Sequence, residues 1–203
     1  MENKNTEHKA EIMYESKGKT PNGDPFMTVK MARNYYCYAE RGGKDSIAFI
    51  LYDNDRDGRE QYALIFESKP PMDERNGFET QMTTAFGGSI DMGSNTTYQE
   101  ICQTEVREES GYVVPLENIK SVGKTLVSTQ MSQMCEGFFV NVSGIQKTEI
   151  AEYEKDASEA QSQKDENEFS GNEVHWMDAE GVMRNSDWKS IFIMTQAVYK
   201  GFI

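Results

Sequence analysis

The chain has 203 residues, 37% of them hydrophobic, and a formal net charge of −13, which suits one domain of ordinary size with a real core. This acidic balance argues against a non-specific nucleic-acid binder, because such proteins need a basic surface. The 3 cysteines are widely spaced and form no CxxC pair, and no apolar run is long enough to span a membrane, so we expect a cytoplasmic protein with free thiols.

The first half of the chain predicts an arm followed by strands. Residues 1–12 are polar and charged, and we expect them to form a disordered N-terminal arm ahead of a single domain over 13–203. An Asp/Gly/Arg-rich turn over 53–60 separates two apolar runs and predicts a hairpin. Strands are predicted over 27–39, 46–52, 62–66 and 83–86, the last leading into two glycines.

The second half predicts a helix over 96–110 that stops at Gly111, and a final helix that 185–187 caps. Segment 148–172 is polar and acidic, and we expect an insertion that is an exposed helix or a mobile loop. Further strands are predicted over 118–128, 136–142 and 173–177. Strands that alternate with a central and a terminal helix favour an α/β (α+β) fold.

The predicted central helix carries three carboxylates on one face. Glu105, Glu108 and Glu109 lie at i, i+3 and i+4, so they share the side that also carries Cys102 and Val106. Like charges at this spacing repel, and clusters of oxygen ligands suit Mg²⁺, Mn²⁺ or Ca²⁺. The alternative is a solvated acidic helix end, which is the usual role of such a run.

The stretch from Gly88 to Tyr112 resembles the Nudix box, the signature of hydrolases that cut nucleoside diphosphates linked to another moiety. Matching residues in the second half of the box are Glu105, Val106, Glu108, Glu109, Gly111 and Tyr112. Two signature residues differ: Ser94 stands where the family has its first Glu, and Thr104 stands where it has Arg. The stretch between them is also longer than the family pattern.

Segments around the box resemble the ADP-ribose pyrophosphatase branch of the Nudix family. These are a Lys69-Pro70-Pro71 turn, a Gly-Gly-Ser-Ile-Asp entry to the box, Glu136 before an aromatic strand, and a Glu-Val-His-Trp strand after an acidic loop. The resemblance implies a Nudix-like α/β/α sandwich with a mixed central sheet. It also implies a cofactor, Mg²⁺ or Mn²⁺, and a small-molecule nucleotide substrate. A homodimer is left open.

The resemblance further implies roles for single residues. The implied metal ligands are the Gly87 carbonyl and the carboxylates of Glu105, Glu108 and Glu109. The implied catalytic base is Glu108, or Glu166 or Glu168 from the acidic loop, and the implied substrate contacts are Lys69 and Glu136. Tyr36 is a further candidate, since a tyrosine can stack on a base or ribose. Each also has an alternative without function. These are a turn glycine for Gly87, a surface lysine for Lys69, a strand-end charge for Glu136, part of a polar loop for Glu166 and Glu168, and a half-exposed strand tyrosine for Tyr36.

These observations favour metal-dependent hydrolysis of the diphosphate bond of a nucleoside diphosphate linked to another moiety, with an ADP-ribose-like or dinucleotide substrate. A second hypothesis is a Nudix-like module that binds or sequesters a nucleotide without cutting it, because Ser94 and Thr104 replace two signature residues. A third is a structural protein whose acidic helix is only a solvated face.

Overall fold

The computed structural model describes residues 10–19, 23–32, 36–42, 45–68, 75–78, 80–90, 96–147 and 173–203. Several predictions fall outside these residues: most of the N-terminal arm, the whole 148–172 insertion, and the candidate residues Lys69, Ser94, Glu166 and Glu168. Within the described part of the chain, no helix is long and apolar enough to cross a membrane.

The described elements are mainly strands. In chain order they are β1 (Glu11–Glu15), β2 (Met27–Ala32), β3 (Tyr36–Arg41), β4 (Ser46–Arg56), β5 (Arg59–Ser68), β6 (Gln81–Thr84), β7 (Phe86–Ser89), β8 (Ile119–Leu126), β9 (Met134–Asn141) and β10 (Glu173–Met177). The helices are α1 (Tyr98–Ser110), α2 (Ala179–Met183) and α3 (Trp188–Tyr199), with a 3₁₀ turn at Leu116–Asn118.

The chain divides into two compact units. The first comprises 1–46, 89–95 and 124–136, and the second comprises 47–88, 96–123 and 137–203. The single domain predicted over 13–203 stays a prediction. The second unit contains both glycines of the entry to the box and the whole of α1, so it carries the acidic face.

The first unit contains a three-stranded antiparallel sheet in the order β1-β2-β3. The prediction of a single strand over 27–39 was wrong. Met27 pairs with Arg41 and Ala32 with Tyr36, so the chain reverses between β2 and β3. Apolar periodicity continues through such a reversal, which hides it in the sequence. The predicted arm also ends too late, because β1 begins at Glu11 and pairs with β2.

A longer hairpin than expected forms at β4 and β5. The strands extend to Arg56 and Arg59, which pair with each other, and the turn consists of Asp57 and Gly58. Both turn residues have positive φ, 55° and 79°, as a two-residue turn with the twist of the flanking strands requires. Asp-Gly supplies these angles at low cost, so most of the predicted 53–60 turn is strand instead.

Gly87 and Gly88, at the entry to the box, lie on β7, which pairs with a central strand of the large sheet. That sheet has the order β10-β5-β4-β9-β8, with β6 paired to β5 and β7 paired to β4. Ile65 pairs with Val174 of β10 on one side and with Thr84 of β6 on the other. Strand β6 therefore lies on the edge of β5 that faces β4, and it delivers the chain to β7.

The core is built on β4, whose residues Ile47–Leu51 are at most 1% exposed. A continuous apolar run of this kind is typical of a strand covered on both faces. The helices contribute Cys102 and Val106 from α1, and Ile193 and Ala197 from α3, all fully buried. The α/β (α+β) class that the sequence predicts, with a mixed central sheet, is confirmed.

Candidate functional site

Helix α1 begins and ends at side chains and backbone angles that the sequence specifies locally. Thr97 Oγ1 accepts from the Glu100 amide, and Glu100 Oε2 accepts from the Thr97 amide at 2.7 Å, which makes a capping box. This hydrogen bond from the Thr97 amide lowers the pKa of Glu100, and a second from the Thr97 hydroxyl adds to it. Gly111 ends the helix at φ 76°, as predicted.

Two glutamines anchor α1 to the segment that follows it. The Gln99 amide donates to the carbonyls of Leu116 and Ile119 at 2.7 and 2.8 Å. The Gln103 amide donates to the Val114 carbonyl at 2.7 Å. These bonds prevent the helix from rotating about its own axis. The direction of its acidic face is therefore fixed. Neither glutamine was predicted from the sequence, because their partners are backbone atoms.

The Glu105 carboxylate lies directly against Gly88 of β7. A Cβ built on Gly88 would stand 2.2 Å from Glu105 Oε1 and 2.5 Å from its Cδ. Real non-bonded contacts are never this short, so the carboxylate occupies the space that any side chain at 88 would need. A Cβ on the neighbouring Gly87 would meet the Ile47 carbonyl oxygen at 3.3 Å. The structure thus brings the glycine entry and the first helix Glu together.

The three carboxylates differ in exposure. Glu105 and Glu109 are half-buried, with Glu109 Oε2 shielded from solvent, whereas Glu108 is exposed. Burial, and to a smaller extent the nearby charge of Glu108, together raise the pKa of Glu105 to about 7. Thr104 and Arg107 on the other side are exposed. The helical-face prediction therefore describes α1 well, with Glu108 at the solvent edge of the acidic face.

A divalent cation fits the chemistry of this face, although the ligands do not converge. Carboxylate and carbonyl oxygens are the ligands that Mg²⁺ and Mn²⁺ prefer. A raised pKa at Glu105 means that its negative charge lacks compensation, which a cation would supply in place of a proton. Among the residues that the structure describes, no three Asp, Glu, His or Cys side chains are arranged to hold a metal. Binding would therefore need rotation of a Glu side chain.

We predict that Glu105→Gln stabilises the metal-free protein above neutral pH. A carboxyl whose pKa is raised from 4.5 to about 7 binds its proton more tightly in the folded state. The ionised carboxylate therefore lowers the stability of the folded state. This destabilisation is absent below pH ~4.5, grows as pH rises to ~7, and stays constant above that. Gln removes it, so Tm should rise by roughly 2–4 °C for each kcal/mol recovered at pH ~8.5. At pH ~4 the variant and wild type should melt alike, and a pH-independent difference would contradict the burial effect.

Two other candidates lie in the first unit and have local partners there. The Glu136 carboxylate is 3.6 Å from Lys124 Nζ, and its side chain is 16% exposed. The Tyr36 hydroxyl donates to the Thr129 carbonyl, and 41% of the residue is exposed. Substrate contacts by these two residues stay predictions. Lys69, Glu166 and Glu168 lie outside the described residues, so their roles stay predictions as well.

Comparison with known proteins gives a likeness in structure but none in sequence. No family model matches the chain, and no curated protein sequence matches it. The chain is similar to a solved structure described as an ADP compounds hydrolase, with a TM-score of 0.56 and 14% identity over 96% of each chain. At this identity the likeness shows the fold alone, and it agrees with the predicted α/β (α+β) arrangement with a mixed central sheet.

Proposed function

We propose that this protein hydrolyses the diphosphate bond of a nucleoside diphosphate linked to another moiety, with Mg²⁺ or Mn²⁺ as cofactor. The observation that carries the proposal is the contact between the Glu105 carboxylate and Gly88, which joins the two halves of the box-like stretch at one place. The fold likeness to a hydrolase of ADP compounds favours an ADP-ribose-like or dinucleotide substrate.

The acidic face would hold the cation through Glu105, Glu108 and Glu109, together with the Gly87 carbonyl. When bound, the cation would neutralise the diphosphate and lower the pKa of the attacking water. Glu105 would lose its proton as the cation binds, since its pKa is raised to about 7 without one. Glu108 reaches solvent, so it would accept the proton of the attacking water and pass it to bulk water. Glu166 or Glu168 would take that role instead if their segment reaches the face.

Substrate recognition is proposed to come from outside the acidic face. Lys69 would contact a phosphate as a point charge, and Glu136 and Tyr36 stay predicted substrate contacts. The proposed substrate is a small-molecule nucleotide, and the net charge of −13 opposes binding of a nucleic-acid polymer. A cytoplasmic location is proposed because free cysteines suit a reducing compartment, and a homodimer stays open.

A second candidate function is nucleotide binding without hydrolysis. Thr104 replaces the family Arg, and its hydroxyl donates to the Glu100 carbonyl one turn earlier at 3.2 Å. The carboxylates also do not converge on a metal position within the described residues. Both observations favour a module whose acidic face is less rigid than a catalytic centre requires.

One experiment distinguishes the two functions. The protein is incubated with ADP-ribose, NADH, dinucleoside polyphosphates and nucleoside triphosphates plus millimolar Mn²⁺ or Mg²⁺, and products are identified by mass spectrometry. Hydrolysis of ADP-ribose should give AMP and ribose 5-phosphate, and only with metal. Melting curves with Mn²⁺ should shift upward, because a ligand that binds the folded state stabilises it.

The other outcomes are equally specific. Nucleotide that co-purifies or binds tightly, and that stays intact for hours with Mn²⁺, would favour the binding module. Protein whose Tm does not change with Mn²⁺, and which shows no Mn²⁺ binding by calorimetry, would contradict the metal site and leave the acidic helix as a solvated face.

A further inference from the structure

Asp187 makes more hydrogen bonds than a helix cap requires. It precedes α3, is 9% exposed, and its Oδ1 accepts from the Lys189 amide at 3.3 Å. Oδ2 accepts from the Ser190 amide at 3.3 Å and from the Ser190 hydroxyl at 2.7 Å. It also accepts from the Ala85 amide at 2.8 Å, across 102 residues of sequence. A single buried carboxylate thus joins the start of α3 to a distant strand.

Ala85 is the residue at which this link matters. It stands alone between β6 and β7, it is 4% exposed, and it is outside both strands. A buried amide at such a break needs a partner, because water cannot reach it. Asp187 supplies that partner. Ala85 precedes Gly87 by two residues and Gly88 by three. The path of the chain into the two glycines is therefore set by Asp187 as well as by the pairing of β7 with β4.

The side-chain chemistry points the same way. Ser, Thr and Asn cap a helix about as well as Asp does, so capping alone does not require a carboxylate. A carboxylate has two accepting oxygens and a negative charge: Oδ1 accepts from Lys189, and Oδ2 accepts from both Ser190 and Ala85. Its charge also suits the positive end of the α3 dipole, which holds it in place. The double role explains the residue type, whereas the cap alone does not.

We infer that Asp187 is a positioning residue for the acidic face of α1. It acts through the Ala85 amide on the path of β7, and so on the distance between Gly88 and the Glu105 carboxylate. That contact leaves no room for a Cβ at Gly88, so a small shift of β7 would move the Glu105 oxygens relative to the Gly87 carbonyl. This inference rests on the proposed metal-dependent function.

The test compares Asp187→Asn with Ser190→Ala. Asn keeps the size, but it has one accepting oxygen and no charge. That neutral oxygen cannot hold the three donors on Oδ2 as strongly as the carboxylate does, and the Lys189 amide loses its acceptor, so the Ala85 bond should weaken. Ser190→Ala removes one donor to the same carboxylate and leaves the Ala85 bond, so it is the matched control for lost stability. Asp187→Ser, which keeps a capping hydroxyl too short to reach Ala85, is the second variant if Asp187→Asn does not fold.

The readouts are Mn²⁺ affinity, from water proton relaxation, and the amide NMR shifts of Gly87 and Gly88 in metal-free protein. Asp187→Asn should weaken Mn²⁺ binding by about 10- to 100-fold, as loss of an outer partner of a metal site does, and should shift both glycine amides. Ser190→Ala should lower Tm while leaving the Mn²⁺ Kd and those shifts as in wild type.

Equal loss of Tm in the two variants, with unchanged Mn²⁺ Kd and glycine shifts, would overturn the inference and leave Asp187 as a helix cap only. Wild-type protein that binds no Mn²⁺ would instead overturn the proposed function, and the positioning role with it. The two failures are distinguishable, because only the second involves the wild-type protein.

Discussion

Gly88→Ala should strongly weaken metal binding at the acidic face while leaving the protein folded. The new methyl group would lie 2.2 Å from Glu105 Oε1 and 2.8 Å from its Cγ, so the Glu105 side chain must turn away. The backbone itself accepts Ala, because Gly88 is not among the glycines with positive φ. The side chain is flexible, so the conflict is relieved by rotation at the cost of the ligand position. We expect Mn²⁺ affinity to fall by about 10- to 100-fold or more.

A double-mutant cycle shows whether the loss acts through Glu105. Glu105→Ala should weaken Mn²⁺ binding, and adding Gly88→Ala to it should change nothing further, because the displaced carboxylate is already gone. Ser89→Ala, an exposed position on the same strand, is the control for strand effects and should bind Mn²⁺ as wild type does. Additive losses in the cycle would mean that Gly88 acts on the site by another route, such as a change in the path of β7.

The sequence predicted α1 well because its signals are local. The i, i+3, i+4 spacing of the acids, the apolar positions Cys102 and Val106, and the stop at Gly111 all act within four turns of one helix. The same holds for β10, whose predicted bounds agree with the structure, and for the cap of α3 by Asp187. One local signal was overlooked, namely Thr97 and Glu100 three residues apart, which is the pattern of a capping box.

Features that depend on distant pairing were not predictable. The reversal between β2 and β3 and the pairing of β1 are set by contacts across strands, which hydrophobic periodicity does not encode. The bond from the Ala85 amide to Asp187 spans 102 residues and involves a backbone atom, so no pattern of side chains announces it. For the site, the sequence supplied the carboxylates and glycines, but the contact of Glu105 with Gly88 required the fold.

Glu109→Gln should reduce turnover on the order of 10²-fold without loss of stability. Gln keeps the shape of the side chain, whose Oε2 is shielded from solvent, and removes the charge that would compensate the cation. Loss of a like charge four residues from Glu105 also relieves repulsion along the helix, so Tm in metal-free protein should stay the same or rise. Steady-state kinetics with Mn²⁺ and thermal melts without it measure the two effects.

The choice of control for this variant depends on the structure. Glu100 lies on the opposite side of α1, but its carboxylate accepts from the Thr97 amide and hydroxyl, so a change there also tests the helix cap. Glu117 is an exposed acid outside α1, in the 3₁₀ turn Leu116–Asn118, and Glu117→Gln removes the same charge from the same unit. It should leave turnover within about 2-fold of wild type, because a surface charge change of this kind has small effects. If Glu117→Gln and Glu109→Gln slow hydrolysis equally, the effect is one of net charge, and the assignment of the acidic face as the metal site is wrong.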